Sequence, residues 1–307
     1  MQTILGSSGV IGTGLAFELS NFTDKIKLVS RNPKKVNSTD DLFPADLTNR
    51  DNIFQAVEGS DIVYLTIGLV YDKNVWRELW PKIMQNVIDA CKKHNSKLVF
   101  FDNVYSYGKV SGWMTEETPH NPTSEKGKVR KQISEMILEE VKKGNLQAII
   151  ARAADFYGPK APGPINLLVL NNLIKNKKPM WMINDKVKHS FTYTLDAGKA
   201  TAILGNTEDT YNQIWHLPTD KNILTGKEIL ELCTKKFDKP PKYTVLPKWV
   251  LTGLGLFNKT LKEMNEMLYQ YDSDYLFDSS KFENKFNFKP TSYADGIKDT
   301  VNWMKKN

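Results

Sequence analysis

The amino-acid order predicts an α/β chain in which a doubly wound parallel sheet is followed by a smaller mixed α/β C-terminal lobe. Three observations carry this. Apolar runs rich in Val, Ile and Phe alternate with helix-length amphipathic segments through the first half of the chain, the pattern of a parallel sheet covered by helices. The first such run delivers a glycine loop, Gly6-Ser7-Ser8-Gly9-Val10-Ile11-Gly12, into a helical pattern that continues through Leu15 and Leu19. The rhythm breaks after about Tyr157, at Gly158-Pro159-Lys160-Ala161-Pro162-Gly163-Pro164, and only brief strand candidates follow.

Strands are expected at Gln2–Leu5, Ile26–Ser30, Asp61–Ile67, Lys97–Asp102 and Leu146–Arg152, with a further strand position ahead of Asp46. Helices are expected at Gly12–Leu19, Arg50–Val57, Val75–Lys93 and Ser124–Lys142, each with one apolar face and turn residues at its ends. Right-handed crossovers join them. Residues 1–161, with a returning segment near 187–217, then form a Rossmann-like nucleotide-binding domain, and 162–186 with 218–307 form a substrate lobe. No internal repeat or low-complexity tract is present.

A chain of 307 residues buries a sizeable core. Its formal charge of +7 is spread over pairs such as Lys34-Lys35, Lys92-Lys93, Lys142-Lys143, Lys177-Lys178 and Lys305-Lys306. No basic stripe interleaved with aromatics accompanies them, which argues against a nucleic-acid partner and leaves a solvated surface. No apolar stretch is long enough to span a bilayer, and the glycine loop lies close to Met1. The expectation is therefore no leader peptide, no membrane partner and a cytoplasmic address. Cys91 and Cys233 are the only cysteines, and two buried, reduced thiols are expected rather than a disulfide.

His94, His120, His189 and His216 lie far apart without ligand spacing, so no metal site is expected. Glu116-Glu117 reads as a solvated loop, because sequence neighbours rarely converge on one bond. His189, just before Phe191-Thr192-Tyr193, is either a structural histidine or a residue of the substrate face. Trp181 and Met182 either line an apolar pocket or pack a core.

The glycine loop has the residues that a dinucleotide requires. Gly6 permits the tight turn, Gly9 lets backbone amides approach a pyrophosphate with Ser8, Val10 and Ile11 beside it, and Gly12 lets the helix pack closely on the strand. Ligands of open parallel sheets sit at the carboxyl ends of the strands. After the second strand, Arg31 stands in Ser30-Arg31-Asn32-Pro33, where a protein preferring NAD places a carboxylate. An arginine there would pair with a 2′-phosphate, and charge-assisted hydrogen bonds of about 1.5–3 kcal/mol give roughly ten- to a hundredfold preference for NADP, with NAD still admissible. A solvated arginine in a basic turn is the competing reading. Asp46 and Leu47 are placed at the adenine, and Thr66-Ile67-Gly68 where a small residue lets the cofactor backbone pass.

The glycine loop, Ala45-Asp46-Leu47, Tyr107-Gly108 and Arg152 through Tyr157-Gly158-Pro159 together resemble the atypical or extended short-chain dehydrogenase/reductase superfamily, and more specifically its NAD-dependent epimerase/dehydratase branch. Phe191-Thr192-Tyr193 with Asp196 is similar to that family's late motif, and Asp278-Ser279-Ser280-Lys281 to its C-terminal segment, so the resemblance covers nearly the whole chain. It implies the Rossmann-like fold, a nicotinamide cofactor that Phe156 also contacts, a small-molecule substrate and a homodimer.

Active members of that superfamily use a Ser or Thr after the fifth strand and a Tyr-x-x-x-Lys on the next helix. The literal match here, Tyr105-Ser106-Tyr107-Gly108-Lys109, follows directly on a strand and contains Gly108, so it is expected to be loop. Alignment on Asn121-Pro122-Thr123-Ser124 instead puts Lys126 at the Tyr position, Arg130 at the Lys position and Asn103 at the Ser/Thr position. Lys126 is then the expected proton donor and a cofactor contact, its pKa pushed down by burial near Lys128, Arg130 and an oxidised nicotinamide. Arg130 would hold ribose hydroxyls or a developing oxyanion, and Asn103 would donate to a substrate oxygen. A basic, solvated helix start on a protein that binds cofactor without turnover is the competing reading.

These residues imply an NADP-dependent oxidoreductase or epimerase-like enzyme acting on a small hydroxyl- or carbonyl-bearing substrate, sugar nucleotides included. The alternative is a non-catalytic NADP-binding, redox-sensing protein. An interaction protein that has lost its cofactor ranks last, given the intact glycine loop.

Overall fold

In the computed structural model, which describes residues 1–306, seven strands form one parallel sheet. They are β1 (Gln2–Leu5), β2 (Ile26–Ser30), β3 (Asp41–Pro44), β4 (Ile62–Leu65), β5 (Lys97–Asn103), β6 (Ala148–Ala153) and β7 (Gln213–His216). Their spatial order is β7-β6-β5-β4-β1-β2-β3. β1 lies between β2 and β4 with Leu5 opposite both Val29 and Leu65, so the loop after Leu5 emerges beside the ends of both neighbours. Every residue of β1, β4 and β6 is buried, as expected of parallel strands covered on both faces.

The connecting helices are α1 (Val10–Leu19), α2 (Arg50–Val57), α3 (Lys73–His94), α4 (Glu125–Lys142) and α5 (Thr194–Gly205). Local chemistry sets their ends. The Asn49 side chain accepts the Asn52 amide at the start of α2, and Asp72 accepts the amides of Asn74 and Val75 at the start of α3. α3 stops at Asn95 in the left-handed conformation, with Lys92, Lys93 and His94 in the last turn to meet the helix dipole. Its buried face, including Trp76, Trp80, Ile83, Met84 and Val87, packs into the main apolar core.

The sequence marks one strand only as a position ahead of Asp46, without bounds, and leaves another unmarked. β3 is short, largely exposed and ends in Pro44, so it lacks the apolar run of a buried strand. β7 is a four-residue edge strand carrying Gln213 and His216. The Tyr105–Lys109 segment is a single 3₁₀ turn over Tyr105–Tyr107 followed by Gly108 in the left-handed region, so Tyr105 and Lys109 do not share a helix face.

The chain divides into two compact units. The first comprises Met1–Ser106, Glu125–Ala153 and Ala197–Leu217, and therefore the whole sheet; the second comprises Tyr107–Ser124, Ala154–Asp196 and Pro218–Asn307. The second unit contains three two-stranded parallel pairs, Asp155–Tyr157 with Phe191–Tyr193, Met180–Met182 with Thr244–Leu246, and Trp113–Met114 with Leu276–Phe277. Trp181 belongs to its core with Phe191, Ile229 and Tyr293, and Met182 to a smaller cluster with Leu251, Leu268 and Tyr271, so both residues pack.

Cys91 and Cys233 are free and buried. Burial pushes the Cys91 thiol up to about 12. The folded first unit therefore resists forming this thiolate while the unfolded chain forms it readily. Stability is unaffected below the unfolded thiol value and falls as pH rises from about 8.5 toward 12, by at most about 1.4 kcal/mol per pH unit. Cys91→Ala should flatten that alkaline slope in urea unfolding followed at a series of pH values; an unchanged slope would exclude this thiol as its source.

Candidate functional site

The loop leaving β1 is shaped by two glycines. Gly6 has φ of +101°, and a Cβ there would lie 2.7 Å from the Ile67 backbone nitrogen. At Gly12, in the first turn of α1, a Cβ would lie 2.5 Å from the Gly6 carbonyl oxygen and 2.8 Å from Ser7 Cα. Gly9 differs from both: it is exposed, and its nearest atom to a Cβ is the Gly6 oxygen at 3.5 Å. It is the N-cap of α1, no side chain caps it, and no acidic residue occupies the first turn. The helix thus presents its N-terminal amides and positive dipole end at an exposed glycine, the arrangement that accepts an anion.

Neighbouring strands hold this loop. The Ser8 hydroxyl lies 2.7 Å from that of Ser30 at the end of β2 and donates to the Asn32 carbonyl at 3.2 Å. Thr66, after β4, donates its hydroxyl to the Leu5 and Gly6 carbonyls at 3.3 and 3.4 Å, so this side chain fastens the loop. Ile67 packs on Gly6, whereas Gly68 is exposed with nothing within 4 Å of a Cβ position. Ile11 is buried and Val10 half-buried.

Arg31 is exposed directly after β2. Asp46 accepts the Thr48 amide and hydroxyl, each at 2.9 Å, and these bonds, followed by the nearby Arg31 charge, hold its carboxyl below the usual value. The basic end of β2 and this carboxylate are therefore neighbours. Leu47 departs from the expectation that set it at the adenine: its side chain is in the apolar core with Ala45. Ala45 and Leu47 face inward while Asp46 between them stays exposed, at the turn where the Asn49 amide donates to the Asp46 carbonyl at 3.1 Å. Phe156 is half-buried on a strand of the second unit.

The positions aligned with the proton relay form a different arrangement from the expected one. Lys126, Arg130 and Ser134 recur every four residues on one face of α4, and all three are buried. Arg130 donates through Nε to Asp102 Oδ1 at 2.7 Å. Arg152, opposite Asp102 on the adjacent strand, donates through Nε to Asp102 Oδ2 at 3.1 Å and through Nη2 to the Ser134 hydroxyl at 3.2 Å. Ser134 in turn donates to Asp102 Oδ2 at 3.2 Å.

The rings of Trp80, Phe100 and Trp76 lie 4.6, 5.0 and 5.6 Å from the Arg130 guanidinium carbon. Arg130, expected to hold a ribose or an oxyanion, is thus anchored on Asp102 and enclosed by aromatic faces. The competing idea of a solvated basic helix start fails as well. Lys126 is 0 % exposed, and its Nζ lies 4.4 Å from the centre of the Tyr71 ring. Lys128 is exposed and pairs with Glu125 at 2.6 Å, so it does not share the buried face with Lys126. Asn103, half-buried, accepts the Tyr105 amide at 3.0 Å.

Asp102 and Arg152, the latter read only as the start of a family segment, and with them Ser134 and Tyr71, are given no role in the site by a motif-based reading. A signal for the first two exists: Asp102 closes Leu98-Val99-Phe100-Phe101 and Arg152 interrupts Ile149-Ile150-Ala151, and a charge within a buried strand requires a partner.

In the second unit, the His189 ring lies against Phe191, Tyr271 and Tyr275 with centroids 4.5, 4.6 and 4.3 Å away. Its Nε2 is 3.1 Å from Asp155 Oδ2, to which the Tyr271 hydroxyl also donates at 2.6 Å. The imidazole is a packed core element. Among the described residues, no three His, Cys, Asp or Glu are grouped to hold a metal ion, and no helix is long and apolar enough to cross a membrane.

The sequence model of the NAD dependent epimerase/dehydratase family matches residues 3–215. No curated protein matches the chain. Among solved structures, a double mutant of dTDP-glucose 4,6-dehydratase from Streptomyces venezuelae with NAD bound is similar at TM-score 0.82 and 16% identity, covering 100% of this chain and 97% of that one. UDP-glucose 4-epimerase from Thermus thermophilus, in complex with NAD, is similar at TM-score 0.78 and 15% identity, with 99% of each chain covered. UDP-N-acetylglucosamine 4-epimerase from Methanobrevibacter ruminantium, in complex with UDP-N-acetylmuramic acid, gives 0.81 and 16%, covering 99% of this chain and 98% of that one. At these identities the likeness is one of fold.

Proposed function

The chain belongs to the NAD dependent epimerase/dehydratase family, and from that premise we propose that it binds a nicotinamide dinucleotide at the Gly6–Gly12 loop and acts as an oxidoreductase or epimerase on a small hydroxyl- or carbonyl-bearing substrate. Sugar nucleotides, named for the similar structures, are the first class to test. The observation that carries the reading is the exposed Gly9 at the uncapped start of α1, framed by two glycines that admit no side chain. The dinucleotide, when bound, supplies the hydride acceptor or donor.

In this reading the amides of Val10, Ile11 and Gly12 hold the pyrophosphate, and Ser8 keeps the loop against β2. Arg31 pairs with a 2′-phosphate, Asp46 lines the adenine side, Gly68 leaves room for the cofactor backbone, and Phe156 contacts the cofactor from the second unit. Lys126 carries the transferred proton on Nζ, and the Asn103 amide donates to the substrate oxygen. Arg130 leaves the reacting set: it positions α4, and with it Lys126, through Asp102. The second unit selects the substrate.

Titration of the purified protein with NADPH and NADH tests the cofactor part. NADPH should bind roughly ten- to a hundredfold more tightly, and Arg31→Ala should remove most of that difference. Equal affinities in the unmodified protein would refute the role of Arg31, and failure of both nucleotides to bind would refute the whole reading. Lys126→Met should abolish turnover of any substrate found in carbonyl and sugar-nucleotide panels while leaving nucleotide affinity within a fewfold.

One observation favours a second reading, a non-catalytic NADP-binding protein that reports redox state. The lysine position of the relay holds an arginine fixed on Asp102. That reading expects tight NADPH binding with no turnover across the same panels.

A further inference from the structure

Two short helices of the second unit, Lys248–Leu254 and Lys259–Met264, form a hairpin with an apolar tip that nucleotide binding does not use. A Cβ at Gly255 would lie 2.9 Å from Asn265 Nδ2 and 3.2 Å from Lys262 Cα, so the glycine lets the turn close on the second helix. The inner side is satisfied: Leu251 packs with Met182, Leu268 and Tyr271. The outer side is not. Phe257 is 92%, Leu256 80% and Trp249 76% exposed, and Leu254 beside them is exposed too. Apolar side chains scattered singly over a surface are ordinary, but four large ones within nine residues at a turn form a patch that marks an interaction site.

The exposed charge on these two helices has one sign. From Lys239 to Lys262 the chain carries five lysines and no Asp or Glu. On the two helices Lys248, Lys259 and Lys262 are exposed, while Glu263 is buried.

We propose that this hairpin docks the protein on an anionic lipid surface. Leu256 and Phe257 enter the acyl boundary, Trp249 sits at headgroup depth, and the exposed lysines of the two helices face lipid phosphates and carboxylates. A bilayer accepts projecting apolar groups without a shaped counterpart, whereas a protein partner would have to supply a pocket for each of them. Side chains this exposed at the apex of a turn project rather than line a groove. The contact is peripheral, so it revises the expectation of no membrane partner without requiring a spanning helix.

Co-sedimentation of the full chain with vesicles tests the proposal. Binding is expected to phosphatidylcholine vesicles containing phosphatidylserine, to weaken as salt is raised, and to be weak on phosphatidylcholine alone. The double variant Leu256→Ser, Phe257→Ser should lose at least about tenfold in partitioning. The triple variant Lys248→Glu, Lys259→Glu, Lys262→Glu should lose about a hundredfold, since each lysine near such a surface contributes roughly fivefold. Lipids brominated in the acyl chain should quench a component of fluorescence that Trp249→Phe removes.

Circular dichroism and NADPH affinity unchanged in the variants would confirm that the fold and the glycine-loop site are intact. The proposal is overturned by sedimentation with neither vesicle, by equal binding to neutral and anionic vesicles, or by variants that bind like the unmodified protein. A self-association that Leu256→Ser, Phe257→Ser abolishes, without lipid binding, would assign the patch to a second copy and overturn it too.

Discussion

Asp102→Ala should destabilise the first unit by about 3–5 kcal/mol, the range for removing one partner of a buried ion pair. The carboxylate is the shared acceptor of two buried guanidiniums, Arg130 on Oδ1 and Arg152 on Oδ2, with the Ser134 hydroxyl closing the cluster. Removing it leaves two like charges facing each other in a region that water does not reach. Asp102→Asn, which keeps the shape and loses the charge, should cost nearly as much.

Arg130→Met should cost less, because Asp102 retains Arg152 and the methionine can occupy the space between Trp80 and Phe100. Urea unfolding followed by tryptophan fluorescence reads this ordering, with Trp76 and Trp80 beside the cluster. A loss below about 1 kcal/mol for Asp102→Ala would show that the carboxylate does not balance this charge. Lys126 lies one turn before Arg130 on α4, so the same variant should also displace the proposed proton carrier.

Gly12→Ala should weaken nucleotide binding more than a hundredfold. The added methyl would meet the Gly6 carbonyl oxygen at 2.5 Å and Ser7 Cα at 2.8 Å, both backbone, so either α1 or the loop must move. Either movement takes the first-turn amides away from the pyrophosphate position. Gly6→Ala should be as damaging, through its left-handed backbone and the Ile67 nitrogen 2.7 Å away.

The control is Gly14→Ala, two residues further along the same helix, where a Cβ meets nothing within 4 Å. It should bind normally and gain about 0.5–1 kcal/mol in stability, as alanine does over glycine within a helix. NADPH titration and thermal melting without nucleotide separate the two effects. Gly12→Ala with unaltered affinity would remove the loop as the binding site.

What the sequence reveals about this protein follows from which interactions are local. β1, β4 and β6 are legible because a strand covered on both faces must be apolar throughout, and the loop is legible because only glycine tolerates its close approaches. The bounds of β3 and the whole of β7 are not, since an edge strand can be polar and short, and its identity comes from the neighbour it pairs with.

The same distinction governs the charged cluster. Spacing along α4 places Lys126 and Arg130 on one face, but spacing cannot say what that face meets. The partner, Asp102, is 28 residues away on β5, and Arg152 another strand beyond. A helix with Lys126, Lys128, Arg130 and Lys131 in its first two turns reads as a solvated end until the aromatic rings of Trp76, Trp80 and Phe100 are seen to cover Arg130. For Leu47 the reason is local: the turn after β3 sends its side chain into the core and leaves Asp46 exposed, which the dipeptide alone does not reveal.

The seam between β6 and β7 has a consequence for how the protein is made. β6 ends at Ala153, yet the strand that covers its outer edge begins only at Gln213, after a long stretch of which Ala154–Asp196 belongs to the other unit. A nascent chain therefore displays Ala148-Ile149-Ile150-Ala151 with an unpaired ladder of amides and carbonyls while the ribosome completes the intervening segment. Fragments ending before Gln213 carry that bare edge permanently and are set to stick to one another, and the intact protein depends on reaching its late strand before its early one finds a stranger.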